Sequence, residues 1–314
     1  MTPIRPDTPP DTLRPSRRAR PAAAIAVVAA LAAACSSTAV PPSGEAHTAP
    51  AGAPSAYGAP PAAAPAATQA AQAASRAFSA QVDAATSAFG SAVGRLQADV
   101  TSGDTAAARS DELAAQAGFD AFRVLESGNA VNGATLDEQS TDVGAQESFG
   151  GLHAIERDLW TSGPLAADVS GLAGQAPVAQ FLLGRERLGP EAVGVVAVDQ
   201  LNWITDDALP VSQERYSHLG LVDVAATEQA AHQTFTDILP LAEDVDPALA
   251  STVAGQFTVL DGEVAALGDP ATVPDTSVAP AARLAVSRQL DATAATLARL
   301  AATLPPYGTR GAPS

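Results

Sequence analysis

Two side chains three residues apart carry the strongest chemical signal in this chain. His153 and Glu156 lie in the decapeptide Gly151-Leu152-His153-Ala154-Ile155-Glu156-Arg157-Asp158-Leu159-Trp160, and positions i and i+3 share a helix face. An imidazole and a carboxylate aimed at one point are the beginning of a helix-borne metal site. Leu152, Ile155, Leu159 and Trp160 supply much of an inward stripe around them. The pair also reads as two polar residues at the edge of a core, satisfied by neighbours, because an inward His and Glu are costly unless paired. The segment is not HExxH, since Arg157 stands where the second His would be. Zinc-peptidase chemistry with that Glu as base therefore does not follow.

A second cluster is Glu214, Tyr216 and His218. Phenolate and imidazole are both iron ligands, so these residues either complete a second site, cover a cleft, or form an ordered loop bonded to backbone. His232, in Ala230-Ala231-His232, reads as an ordinary surface or interface histidine, and His47 falls in a Pro- and Ala-rich stretch.

The elements that must position these groups are helical. From about residue 68 to 304 the chain is rich in Ala, Leu, Gln, Glu and Asp, with apolar residues at spacings of three and four. No alternating Val, Ile and Thr run bounded by Asn-Gly or Asp-Gly reads as a hairpin. Gly and Pro breaks divide the stretch into helices expected near 68–101, 104–127, 142–161, 191–207, 220–241, 247–267 and 278–303. Asp104, Asp246 and Ser277 stand where N-caps are expected. The fold class is all-α, a helical bundle built as one long bundle or as two four-helix-type bundles in series. The stretch from Gly163 to Pro190, with Gly171, Gly174, Gly184 and Gly189 inside it, is the expected crossover between halves.

Ahead of the bundle the sequence reads as an address. Arg5, Arg14, Arg17, Arg18 and Arg20 precede an apolar run from Ala22 to Ala34 that is too short to span a bilayer comfortably and fits a signal-peptide core. Cys35, the only cysteine, follows it directly with Ser36 and Ser37 behind, so no intrachain disulfide forms. That arrangement resembles a bacterial lipoprotein signal, with Cys35 as the lipidated residue, although Leu31 lies four places before it rather than three. An ordinary secretory signal cleaved near Ala33 or Ala34 is the other reading. Residues 1–35 are thus expected to be a signal peptide and 36–67 a disordered tether, Pro- and Ala-rich with almost no large apolar residue. Residues 305–314 are expected to be a disordered tail.

The formal net charge is −17. Loss of residues 1–34 removes five Arg and two Asp, leaving 12 basic against 32 acidic groups, a net of about −20. Such a balance excludes electrostatic capture of nucleic acid or anionic lipid. It favours cationic ligands, or serves only for solubility. All 17 basic residues are Arg and none is Lys, which reads as coding bias.

The combination of motifs resembles the imelysin-like family, and specifically its EfeO-type branch of extracytoplasmic iron-uptake components. Gly151-Leu152-His153-Ala154-Ile155-Glu156 is similar to the family's Gly-x-His-x-x-Glu signature, and Asp142-Val143 begins eleven residues before His153, as in that branch. Phe119-Asp120 resembles the aromatic-acid pair of a preceding helix. Glu214-Arg215-Tyr216-Ser217-His218, with Leu221 and Asp223 behind it, resembles the family's Glu-x-Tyr-Ser-His-Thr-Asp-Leu segment. The likeness spans about residues 70–300. Two departures stand out: Arg123 occupies the approximate place of the family's second acid on the early helix, and only a tether stands where some members carry a cupredoxin domain.

The resemblance implies a helical double bundle with a metal site in a cleft, its ligands being His153, Glu156, Asp142 and Asp120. On local spacing alone, Asp142 reads equally as an N-cap before Val143 and Asp120 as a solvated face residue. One imidazole with three carboxylates is a hard, anionic set suited to Fe2+, Fe3+, Mn2+ or Zn2+ and ill suited to Cu+. The implied function is capture of iron outside the membrane and delivery to an iron permease, with a haem peroxidase as further partner and a lipid anchor to the membrane. Two alternatives are carried beside it: an imelysin-like metallopeptidase with a metal-bound water as nucleophile, and a haem-binding surface protein. Against the peptidase stands the lack of a base beyond the implied ligands, and against haem the few aromatics available, two Trp, three Tyr and eight Phe.

Overall fold

The computed structural model describes residues 65–128, 136–138, 150–210 and 212–306. The expected leader, Cys35, the tether up to residue 64, Asp142 and the tail from residue 307 lie outside the described residues. The chain is all-α. Eight α-helices are described: α1 (Pro65–Ser102), α2 (Thr105–Asp120), α3 (Leu152–Thr161), α4 (Ala166–Leu183), α5 (Pro190–Trp203), α6 (Leu221–Val245), α7 (Pro247–Ala265) and α8 (Pro280–Ala301). A 3-10 segment at Arg123–Gly128 follows α2, a π turn at Ile204–Ala208 extends α5, and a 3-10 turn at Asp275–Ser277 precedes α8.

The helices form two four-membered groups. α1 packs on α2 and α4, and α3 connects α2 to α4; α5 packs on α6 and α8, and α7 closes between α6 and α8. The groups meet where α6 lies on α1 and α2, across a polar seam. Gln81 donates to the Ala230 carbonyl at 3.0 Å and to the Thr234 hydroxyl at 3.2 Å, while Thr234 also meets Gln200, whose amide donates to the Ala121 carbonyl. A buried amide is costly when unpaired. The seam therefore fixes the relative register of α1, α5 and α6, which apolar packing alone leaves looser.

Local sequence explains the elements. Asp104 caps α2 by accepting from the Ala107 amide, and Asp246 caps α7 by accepting from the Leu249 amide, each satisfying an amide that the first turn leaves open. Ser277 does not cap α8, because it closes the 3-10 turn at Asp275–Ser277; Pro280 starts the helix with Ala279 as its extended cap. Phe89 of α1, Phe119 of α2 and Phe122 just beyond α2 are fully buried and meet at ring-centroid separations of 5.4 to 6.2 Å, each contributing about 1.5–3 kcal/mol by burial. The two helices come this close because Gly118 lacks a side chain: a Cβ there would stand 2.9 Å from the Phe89 Cα.

The expected crossover from Gly163 to Pro190 is instead largely helix. α4 covers Ala166–Leu183 despite Gly171, Gly174 and Pro177. Val169, Leu172, Ala176, Ala179 and Leu183 recur at three and four spacing and are all buried, and burial of such a stripe outweighs roughly 1 kcal/mol of propensity lost per interior Gly. The helix expected from residue 142 begins at Leu152 among the described residues, since Gly151 has φ +77° and cannot continue a helix.

Candidate metal centre

α3 is buried nearly all round. Leu152, His153, Ala154, Ile155, Glu156, Asp158 and Leu159 are enclosed, and Arg109 of α2 ties its end down by donating to the Leu159 carbonyl at 2.8 Å while covering the Trp160 ring. Buried polar side chains from four other segments converge on its His153 and Glu156: Glu112 and Asp120 from α2, Asp137, Glu214 from the loop before α6, and Asp223 from the first turn of α6.

The tightest group is His153, Glu156 and Glu214, each offering one ligand atom within 4.8 Å of the others. His153 Nδ1 is 3.5 Å from Glu214 Oε1, and its Nε2 is 3.1 Å from Asp137 Oδ1. Glu156 Oε1 accepts from the backbone amides of Tyr216 and Ser217 at 2.9 and 2.7 Å, which pins the loop carrying Glu214 against α3. The remaining groups are orphaned: both Glu214 oxygens, Glu156 Oε2 and His153 Nδ1 are buried without a hydrogen-bond partner. Buried acceptors in that condition are rare, and an ion is one of the few things that satisfies several at once.

Asp137 reaches His153 through one backbone contact. It forms an isolated antiparallel bridge with Gly151, and a Cβ on Gly151 would fall 2.4 Å from the Leu136 carbonyl oxygen, in a backbone region at φ +77° that other residues rarely adopt. Glycine is required there twice over. On its other side Asp137 is paired with Arg123, which also grips Asp120 through Nη2 at 2.6 Å and Nε at 2.9 Å. The guanidinium lies over both Phe119 and Trp203, at 4.5 and 4.4 Å from the ring centroids, an arrangement that favours Arg over Lys. The order from outside inward is thus Arg123, Asp137, His153, then the orphaned Nδ1 facing Glu214. Asp137 Oδ1 and His153 Nε2 are 3.1 Å apart without the alignment of a hydrogen bond, so the carboxylate acts on the imidazole as a neighbouring charge.

Charge dominates this interior. Glu112, Glu156, Glu214, Asp120, Asp137 and Asp223 stand against Arg123 and His153. Burial, then the neighbouring carboxylates, pushes Glu112, Glu214 and Asp223 well above the ordinary carboxylate range. Burial raises Asp120 too, against the pull of Arg123, and raises Glu126 to about 8. For Asp137 burial is outweighed by Arg123 and His153, so it falls below its usual value. For His153 burial, which would lower it, is outweighed by Asp137, so it rises.

A pH dependence follows. Carboxyls raised by folding contribute stability that is fully present below their unfolded values, near 4, and lost as pH climbs through the raised ones. His153 has the same sign, its contribution fading above its raised value. Asp137 has the opposite sign, but its contribution is lost only as pH falls below about 4. The thermal midpoint of the metal-free chain is expected to fall steadily from about pH 5 to about pH 8. Circular dichroism melts in the presence of chelator check this, and a midpoint that rises over that window would contradict the charge inventory.

The sequence-derived candidates therefore divide. His153, Glu156 and Glu214 come together. Asp120 is in the same interior but is held by Arg123. Asp142 lies outside the described residues. Tyr216 contributes its backbone amide to Glu156 and is half-buried, whereas His218 is exposed at φ +60°, its backbone spanning from the Glu214 carbonyl to the Asp275 amide. Glu112, Asp137 and Asp223 were not anticipated as part of the site. A signal for Glu112 existed, since Glu112, Gln116 and Asp120 recur every four residues on one face of α2, and all three are buried. Two open surface clefts among the described residues, one beside Thr205, Pro210 and Arg283 and one between Ser87 and Gln180, are lined by none of these groups.

No protein-family model matches the chain, and no curated protein matches it. Among the described residues no helix is long and apolar enough to cross a membrane.

Proposed function

We propose that this protein binds a metal ion, iron foremost, at His153, Glu156 and Glu214, and carries it to a membrane permease on the outer side of a membrane. One observation carries the binding: an imidazole nitrogen and three carboxylate oxygens, all buried and orphaned, belong to side chains whose ligand atoms lie within 4.8 Å of one another. One nitrogen and several oxygens suit iron, manganese or zinc. The preference for iron, the permease and the peroxidase partner rest on the motif resemblance. The extracytoplasmic, lipid-anchored location rests on the leader and Cys35.

Carriage is favoured over catalysis by the enclosure of the site. His153 is 3% exposed and Glu156 and Glu214 are fully buried, so among the described residues these groups are closed to an extended peptide. Glu156 Oε1 is occupied by two backbone amides, which suits a fixed ligand better than a base that must exchange protons. A haem group would need an apolar slot, and the surroundings of His153 are acidic.

The test is a titration of the chelator-stripped chain with Fe2+ anaerobically and with Fe3+ as a weak chelate, beside Mn2+ and Zn2+, with peptide cleavage assayed on the loaded samples. Uptake that perturbs the His153 ring, without cleavage, is the expected result. An inert His153 ring with every ion removes the binding reading, and cleavage that depends on the ion replaces carriage with catalysis.

A further inference from the structure

A second constellation lies on α6 and α7, apart from the buried acids around His153. Glu228 and His232 are one turn apart on α6 and so share a face, and Asp261 of α7 stands opposite. His232 Nδ1 is 3.1 Å from Asp261 Oδ1, and one ligand atom from each of the three residues lies within 4.8 Å of the others. The parts differ in accessibility. Glu228 is only 7% exposed, and its Oε1 has no hydrogen-bond partner. The side chains of His232 and Asp261 are 35% and 44% exposed. The imidazole is held in orientation by stacking on Phe257, centroids 4.7 Å apart and planes 9° from parallel, and Phe257 is fully buried and stacks in turn on Phe235.

We propose that Glu228, His232 and Asp261 form a second cation site, open to solvent, that takes a divalent first-row transition ion. Ligands of one tetrahedral ion at roughly 2.0–2.2 Å stand about 3.3–3.6 Å apart, so small rotamer changes close the triad. Two carboxylates and one imidazole leave a coordination position for water on the exposed side, and they match Zn2+ or Mn2+ in softness. A protonated His232 clasped by Asp261 explains part of the geometry. It leaves Glu228, buried beside Asp261, without a cation, because among the described residues no ion pair supplies one. Burial and a proton shared with Asp261 push Glu228 up to about 8, and that proton is the alternative that an ion would displace. An ion shared by all three satisfies the Glu228 carboxylate.

The chain has four histidines, so ring resonances are assigned by single substitutions and each site is read separately. The experiment uses the full chain carrying His153→Gln and Glu214→Gln, which disables the interior triad, titrated with Zn2+ while the His232 ring is followed by nuclear magnetic resonance. One equivalent of Zn2+ is expected to shift His232, and Asp261→Asn or Glu228→Gln is expected to abolish that response while the helical spectrum stays unchanged. A His232 ring that does not move, or that moves equally in the Asp261→Asn chain, overturns the site. Because the interior triad is absent throughout, this outcome is independent of whether iron binds there.

Discussion

Glu214→Gln, alone and combined with His153→Ala, is expected to weaken metal binding by more than the roughly 10–100-fold that loss of an orienting partner costs, with the double change abolishing stoichiometric uptake. The same Glu214→Gln change is expected to stabilise the metal-free chain. Both effects follow from one observation: Glu214 is fully buried with neither oxygen hydrogen-bonded, 3.5 Å from His153 and surrounded by other acids. Glutamine keeps the shape and removes the charge. A carboxylate buried among other carboxylates with neither oxygen hydrogen-bonded costs folding free energy, so a neutral group of the same shape is expected to relieve that cost in the metal-free chain. Because burial and Asp223 raise the Glu214 carboxyl well above its usual range, it is already neutral in acid. The gain should therefore be small near pH 5 and grow toward pH 8. Denaturant unfolding at both pH values, beside calorimetric titration, separates this from a structural role: a glutamate serving only the fold would lose stability on substitution and leave affinity untouched. Glu156 is a poorer probe, since its removal also strands the amides of Tyr216 and Ser217.

The fold class was legible because helices announce themselves by apolar spacing, and the caps at Asp104 and Asp246 mark two starts clearly. α4 was not. Gly163, Gly171, Gly174, Gly184 and Gly189 read as loop punctuation, yet two of them sit inside a helix whose buried stripe from Val169 to Leu183 overrides their local preference. Ser277 failed as a cap for a different reason: a 3-10 turn consumes it, and Pro280 with its fixed φ begins the helix instead.

For the site, His153 and Glu156 were legible because both lie on one short helix, where spacing determines direction. Glu214 was expected in a second cluster with Tyr216 and His218, whereas the fold brings it to His153 and Glu156, with Tyr216 giving its backbone amide to Glu156 and the His218 backbone bonding to Glu214 and Asp275. Asp137 was not legible at all. It meets His153 only through its bridge to Gly151, and nothing in the spacing around residue 137 foretells that pairing. The role of Arg123 was equally hidden. Nothing in its place in the chain foretells that it binds Asp120 and Asp137 together and lies over two aromatic rings.

That position makes the loss of Arg123 costly to the fold. Arg123→Met keeps much of the packing against Phe119 and Trp203 but leaves Asp120 and Asp137 buried without their cation. Breaking one partner of a buried pair typically costs about 3–5 kcal/mol, and here one guanidinium serves two carboxylates. The midpoint of unfolding should fall accordingly, and more steeply as pH rises and the buried acids lose their protons. Neutralising them in the same chain, with Asp120→Asn and Asp137→Asn, should restore most of the loss, because the cost lies in uncompensated charge and not in missing volume. A further consequence concerns the metal. With the guanidinium gone the interior loses its permanent cation, so added Mn2+ or Zn2+ should raise the stability of Arg123→Met by more than it raises that of the unaltered chain. Denaturant titrations with and without each ion decide the matter. An Arg123→Met chain as stable as the parent, or equally responsive to metal, would mean that the acids of this interior are already compensated by their own protons.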